Sequence, residues 1–373
     1  MLTSRQEHPI RRAASRAGAA ADSVQSRFGH RLFGLPGTHL GAVHNPRERI
    51  GSPWHYWWQA HYLDALIDAA LRESDERESR RLAMTARRLL RGIHLRNGLR
   101  WTNSYYDDMA WLALATDRLT LLGLGGSRAI PPLERALRSA HTPEAGGGLY
   151  WNMGRDFKNT PATAPAALLF ARRGDPAQAQ QLLDWLRQRL RNSHTGLLQD
   201  GIRLDKGRET LVPDVYTYNQ GPILGALLEM GGPRHLVDAA SLITAVDEHL
   251  ARDGVLTTHG SGDGGLFTGI LARYLALAAL TPALPATVQR TAATLVTTTA
   301  EALWAGRIEA PPAGRGGRRR SHRTGQLAFA AGTGDDALTD GAELSTQLQA
   351  WMILEAAYRV DTGAIGDDAE PSE

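Results

Sequence analysis

The sequence predicts an all-α chain folded as an (α/α)6 barrel of about twelve helices. Three observations predict it. Apolar residues recur with a helical period along most of the chain, while alternating strand patterns are scarce. The links between helices alternate short and long. The long links concentrate Gly, Trp, Tyr, His and Asn. A short link makes two helices antiparallel neighbours. A strict short–long alternation over twelve helices therefore describes six hairpins closed into a ring, with every long loop on one face.

The elements follow in order. The first helix spans 9–28, and a long loop leads to the second, 55–73. Ser74-Asp75 turns it into the third, 76–95, and another long loop reaches the fourth, 107–122. Gly123 to Ala129 connects that to the fifth, 130–140, and Gly174-Asp175 separates the sixth, 161–173, from the seventh, 176–192. Gly231-Gly232 divides 219–230 from 233–250, and Thr281 to Pro285 divides 266–280 from 286–304. The last helix covers 341–359. An open α-solenoid would show a consensus at a fixed period, and the long loops differ from one another. The reading is one domain over 1–362, followed by a disordered acidic tail over 363–373.

Composition narrows the class. The 373 residues are 42% hydrophobic and 22% charged, with a net charge of only +3. That is ordinary globular composition, and no stretch approaches the length of a membrane span. With no cysteine, no disulfide can form. The N-terminal residues lack an apolar signal-peptide core, so a cytoplasmic location is expected. The one dense basic run, Arg315 to Arg323, reads as a solvated glycine-rich loop, because no nucleic-acid module surrounds it. Neither Cys nor a His-x-x-x-His spacing is present, so no metal and no cofactor are expected. The sequence leaves the oligomeric state open.

The chemistry concentrates in the long loops. Tyr105-Tyr106-Asp107-Asp108-Met109-Ala110-Trp111 sets two aspartates side by side in an aromatic frame. Asp is common where a helix opens. Adjacent carboxylates also push their pKa values apart, and one protonated acid beside one ionised carboxylate is the equipment of a glycosidase. The other loops carry His55-Tyr56-Trp57-Trp58, Asn103, Trp151, Lys158-Asn159, Tyr216-Thr217-Tyr218-Asn219-Gln220, and Asp263 to Phe267. Aromatics on one face build a cleft floor, and Asn, Gln, His and Lys supply partners for hydroxyls. The expected sugar-binding residues are His55, Trp58, Asn103, Tyr106, Trp111, Trp151, Lys158, Asn159, Tyr216, Tyr218, Asn219, Gln220, Asp263 and Phe267. Trp57 and Trp58 point about 100° apart on a helix, so at most one of them faces the cleft. Lys158 stands out because Lys206 is the only other lysine. Its compact charge differs from that of arginine.

Several segments together resemble glycoside hydrolase family 76. They are the Tyr105–Trp111 heptad, Gly146-Gly147-Gly148-Leu149-Tyr150-Trp151 with Lys158-Asn159, Tyr218-Asn219-Gln220-Gly221, Asp263-Gly264-Gly265-Leu266-Phe267-Thr268-Gly269-Ile270, and Ser345-Thr346-Gln347-Leu348-Gln349-Ala350-Trp351. They run in order from about residue 52 to 355. The resemblance implies the same barrel and a retaining endo-α-1,6-mannanase acting on a mannose-containing oligosaccharide or polysaccharide. Carried over, Asp107 is the nucleophile and Asp108 the acid/base. Retention needs carboxyls about 5–5.5 Å apart. One departure concerns Thr163, which stands where the family usually has an Asn. Another is the missing signal peptide, since well-known members are secreted.

Two other readings stay open on the residues alone. An epimerase or isomerase on the same barrel would use His55 and His259, and a sugar-binding relative would not turn over. A prenyl-diphosphate cyclase would need Asp-Asp-x-x-Asp, and Trp111 occupies the last of those places.

Overall fold

The computed structural model describes residues 4–44, 52–310, 326–332 and 342–363. Among them run twelve α-helices: α1 Ser4–Phe28, α2 Tyr56–Arg72, α3 Glu76–Arg96, α4 Tyr106–Leu121, α5 Ile130–Ala140, α6 Thr160–Arg172, α7 Pro176–Arg189, α8 Thr217–Met230, α9 Gly232–Leu250, α10 Phe267–Ala279, α11 Ala286–Ala305 and α12 Leu344–Gly363. They fall within a few residues of the expected spans. The last helix runs to Gly363, into the stretch expected as a tail. Residues 364–373 and the basic run Arg315 to Arg323 lie outside the described residues.

Burial sorts the helices into two rings. The odd-numbered helices bury one stripe each. On α3 the stripe is Leu82, Ala86, Leu89 and Ile93; on α5 it is Ile130, Leu133, Leu137 and Ala140. That spacing is one face of a 3.6-residue repeat. The even-numbered helices are buried nearly all round, as α4 is from Met109 to Asp117. Each even helix packs on the next, α2 on α4, α4 on α6, and so on, and α12 returns to α2. The odd helices back the even ones from outside, with α1 behind α12 and α11 against both α10 and α12. This is the predicted (α/α)6 barrel. Small residues let the inner helices approach: a Cβ on Gly225 of α8 would lie 2.6 Å from the Tyr274 ring of α10.

The inner ring is also tied by charge. Asp64 and Asp68, four residues apart on α2, share one face. Arg118 of α4 and Arg273 of α10 each pair with both carboxylates, at 2.6 Å for each contact to Asp68. Arg72 of α2 pairs with buried Glu355 of α12 at 3.0 Å.

Sequence reading passed over the short strands. These are β1 Gly29–His30 with β2 Leu40–Gly41, a sheet of β3 Phe157–Asn159, β4 Gly201–Asp205 and β5 Arg208–Val212, then β6 Ala251–Arg252 with β7 Val255–Leu256, and β8 Ile308–Ala310 with β9 Gln326–Ala328. All pairings are antiparallel. They decorate the loops and leave the barrel intact. No helix among the described residues is long and apolar enough to cross a membrane.

Candidate active site

Every long loop runs from an outer helix to the N-terminus of an inner one, so the inner N-termini gather on one face. There a cleft of about 520 Å³ opens. Helix N-termini carry partial positive charge, which favours carboxylates placed against them. Four carboxylates line this cleft: Asp107 and Asp108 in the first turn of α4, Asp200 just before β4, and Asp263 before α10.

The two adjacent aspartates are held differently. Asp107 accepts two hydrogen bonds, from the Asp108 backbone N–H at 2.9 Å and from the Trp151 indole N–H at 2.9 Å. Asp108 accepts from the Asn103 side-chain amide at 2.6 Å, and Asn103 in turn accepts the Tyr105 N–H. Burial raises the pKa of both acids. The two donors oppose that rise at Asp107, while the charge of Asp107 pushes Asp108 further up. Asp263 adds to the rise at both. Donors to a carboxylate favour its charged form, and a like charge disfavours it. The pair is therefore built to lose its first proton at Asp107 and keep the second on Asp108.

The walls are aromatic. Tyr218 and Phe267 stack with ring centres 3.8 Å apart and planes 9° apart. Trp111 and Trp151 line the floor, with Trp57 and Tyr105 beside them. Asp263 accepts the indole N–H groups of Trp57 at 3.1 Å and Trp58 at 2.8 Å. Asp200 is raised to about 6 by burial, opposed by the Asn219 amide donating at 3.2 Å.

Of the residues singled out in the sequence, His55, Asp107, Asp108, Trp111, Trp151, Asn159, Tyr218, Asp263 and Phe267 line the cleft. Others do not. Trp58 is in the core with 1% exposure, and Trp57 takes the cleft position. Tyr106 is likewise buried, and its exposed neighbour Tyr105 faces the cleft. Asn103 acts through Asp108 without lining the cleft. Tyr216 does not line the cleft and packs its ring against Tyr218, Phe267 and His259. Gln220 is fully buried and clamps Leu198 through both its N–H and its carbonyl. Asn219 is buried and holds Asp200.

Lys158 is the sharpest correction. Its ammonium is fully buried and donates to the Thr142 carbonyl at 2.7 Å, the Thr142 hydroxyl at 2.9 Å and the Gly147 carbonyl at 2.9 Å. A compact ammonium with three donors suits three converging acceptors. Its burial lowers the pKa to about 8. Lys158 thus pins the loop whose Gly146, Gly147 and Gly148 all have positive φ, a backbone region that favours glycine. Thr163 is also buried, accepting the Leu149 N–H at 3.0 Å, so the departure there falls behind the cleft wall.

Sequence reading missed Asp200, Arg203 and Val212, all cleft-lining and all on or beside the β4–β5 hairpin. Its turn, Lys206-Gly207, has both φ positive, at 47 and 82°. A two-residue loop ending in Gly is a hairpin signal, and it could have found them.

The sequence profile of glycosyl hydrolase family 76 matches residues 134–352. The chain belongs to this family. Its class of activity is that of a glycoside hydrolase. The profile match begins after the aspartate pair, whereas structural similarity spans nearly the whole chain. The GH76A α-1,6-mannanase from Salegentibacter sp. HEL1_6 is 28% identical, with a TM-score of 0.79 over 93% of this chain and 99% of that one. An inactive variant of that mannanase, with two aspartates replaced by asparagine and α-1,6-mannotriose bound, is 27% identical, with the same TM-score and coverage. A family 76 glycoside hydrolase (mannosidase) from Bacteroides thetaiotaomicron VPI-5482 is 16% identical, with a TM-score of 0.71 over 94% of this chain and 98% of that one. At that identity the likeness concerns the fold. Among curated proteins no match is found.

Proposed function

We propose that this family 76 member is a retaining glycosidase that cleaves α-1,6-mannosidic linkages, with Asp107 as nucleophile and Asp108 as acid/base. The observation that carries the reading is the unequal support of the two carboxyls. Asp107 has two N–H donors and Asp108 has one donor plus a charged neighbour. The ionised Asp107 attacks the anomeric carbon while Asp108 gives its proton to the departing O6, and the glycosidic bond breaks. A covalent mannosyl–Asp107 ester remains. Asp108, now a carboxylate, takes a proton from water as that water attacks the same carbon, releasing the mannosyl product in its original α configuration and restoring Asp107. The stacked Tyr218 and Phe267 rings and the floor indoles offer flat faces to the sugar. Asn159, Asp200 and Asp263 offer polar atoms to hydroxyls.

The Salegentibacter structure supports the substrate class, because that relative is an α-1,6-mannanase with an α-1,6-mannotriose complex. The test is product analysis on linear α-1,6-mannan and on short α-1,6-mannosides, with the anomer followed by NMR. Initial release of the α anomer is expected. A β anomer would replace retention with inversion, and the absence of any product would remove the activity.

A further inference from the structure

Outside the catalytic cleft a second aromatic run leads away from Tyr56, which lines it. The Trp54 ring meets Tyr56 edge-on at 5.7 Å. The Arg96 guanidinium lies 6.0 Å from the Trp54 ring centre and 5.5 Å from that of Phe33. It also donates to the Ser52 carbonyl at 3.2 Å. Phe33 and Trp54 belong to the α1–α2 loop and Arg96 ends α3, so the run sits on the same face as the cleft.

Phe33 is the unusual member. It is 58% exposed, with φ at 47°. A bulky residue rarely occupies that left-handed region. Burial offsets little of the cost here, because most of the ring faces solvent. An exposed aromatic in a strained backbone position is the kind of feature that clusters at binding surfaces.

We propose that Phe33, Arg96 and Trp54 form an outer carbohydrate subsite, which receives mannosyl units of an α-1,6-linked chain as it leaves the catalytic cleft past Tyr56. This rests on the α-1,6-mannanase reading above. Rings offer flat surfaces to the C–H faces of pyranoses. A guanidinium between them presents a planar fork of donors to neighbouring hydroxyls. Continuity with the cleft through Tyr56 is what selects a sugar chain over a protein partner.

The subsite is tested by comparing wild type with Phe33→Ala and Trp54→Ala on α-1,6-mannotriose and on linear α-1,6-mannan. Phe33→Ala removes an exposed ring and leaves the core untouched, so it carries the test even if Trp54→Ala folds poorly. We expect kcat/KM on the polymer to fall at least about fivefold, in line with a lost ring contact, while the value on mannotriose stays within about twofold. Equal losses on both substrates, or none on the polymer, would overturn the subsite and leave the active-site reading standing. If wild type cleaves neither substrate, the active-site reading fails by itself. Retardation in affinity electrophoresis with linear α-1,6-mannan then decides the subsite. Wild type retarded more than Phe33→Ala supports it, and no difference overturns it.

Discussion

At the scale of single residues, the site is an electrostatic device set by three carboxylates. Asp107→Asn should lower turnover at least about 10³-fold, as should Asp108→Asn, the scale of losing a catalytic group. Circular dichroism should show both folded, and near-wild-type rates in either variant would remove the pair from the mechanism. The roles separate with an activated aryl mannoside, whose leaving group needs little protonation. Asp108→Ala should form the glycosyl-enzyme and stall, and azide should restore turnover by yielding the α-mannosyl azide. The same rescue in Asp107→Ala would reverse the assignment. The third carboxylate allows a pH test. Asp263 raises the pKa of both acids through its charge. The proposed mechanism requires Asp107 ionised and Asp108 protonated, so the pH–rate profile should be a bell whose limbs are apparent values of the coupled pair. Asp263→Asn removes a negative charge and keeps an oxygen for the indole N–H groups. Both limbs should then move to lower pH, and a profile that stays in place would show that Asp263 does not set the field.

At the scale of elements, what was legible follows from geometry that repeats along the chain. Helical periodicity and the alternation of link lengths located the helices because both signals average over many residues. The failures arise where one residue decides. Trp57 and Trp58, or Tyr105 and Tyr106, are adjacent, and which of the two faces the cleft depends on the rotation of α2 or α4, which pattern alone leaves open. The three strands near the cleft span three to five residues each, too short for alternation to register, so Asp200 and Arg203 went unseen with them. Lys158 was conspicuous by composition, yet composition does not distinguish a ligand contact from a buried anchor. Its three carbonyl and hydroxyl partners tie β3 to the glycine loop that precedes it. Lys158→Met should leave those acceptors without their donor and cost at least about 2 kcal/mol in urea unfolding. A sugar-contact role predicts the opposite signature, a raised KM with unchanged stability.

At the scale of the whole molecule, the barrel is a ring, and a ring is only as secure as the ties across its seams. The inner helices meet mostly through apolar and small side chains, but α2 is different. It meets α4 directly and reaches α10 through Arg273, so Asp64 and Asp68 draw together helices that are not neighbours in sequence. Asp64, Asp68 and Arg273 are all buried. The cluster begins more than two turns along α2 from Tyr56, below the cleft. Removing one partner of a buried ion pair strands the other charges, at about 3–5 kcal/mol, whereas replacing a whole cluster with well-packed apolar residues can be neutral or stabilising. Arg273→Met should therefore lower the unfolding free energy by about 3 kcal/mol or more, with kcat/KM at 25 °C close to wild type because nothing lining the cleft is touched. Replacing Asp64, Asp68, Arg118 and Arg273 together with apolar residues of similar volume should recover most of that loss. Urea unfolding followed by tryptophan fluorescence measures both. A loss below about 1 kcal/mol in Arg273→Met, within the range of an ordinary substitution, would mean that packing of the apolar seams alone holds the ring closed. A full loss with no recovery in the fourfold variant would mean that the charges specify how α2, α4 and α10 meet, and that apolar volume cannot stand in for them.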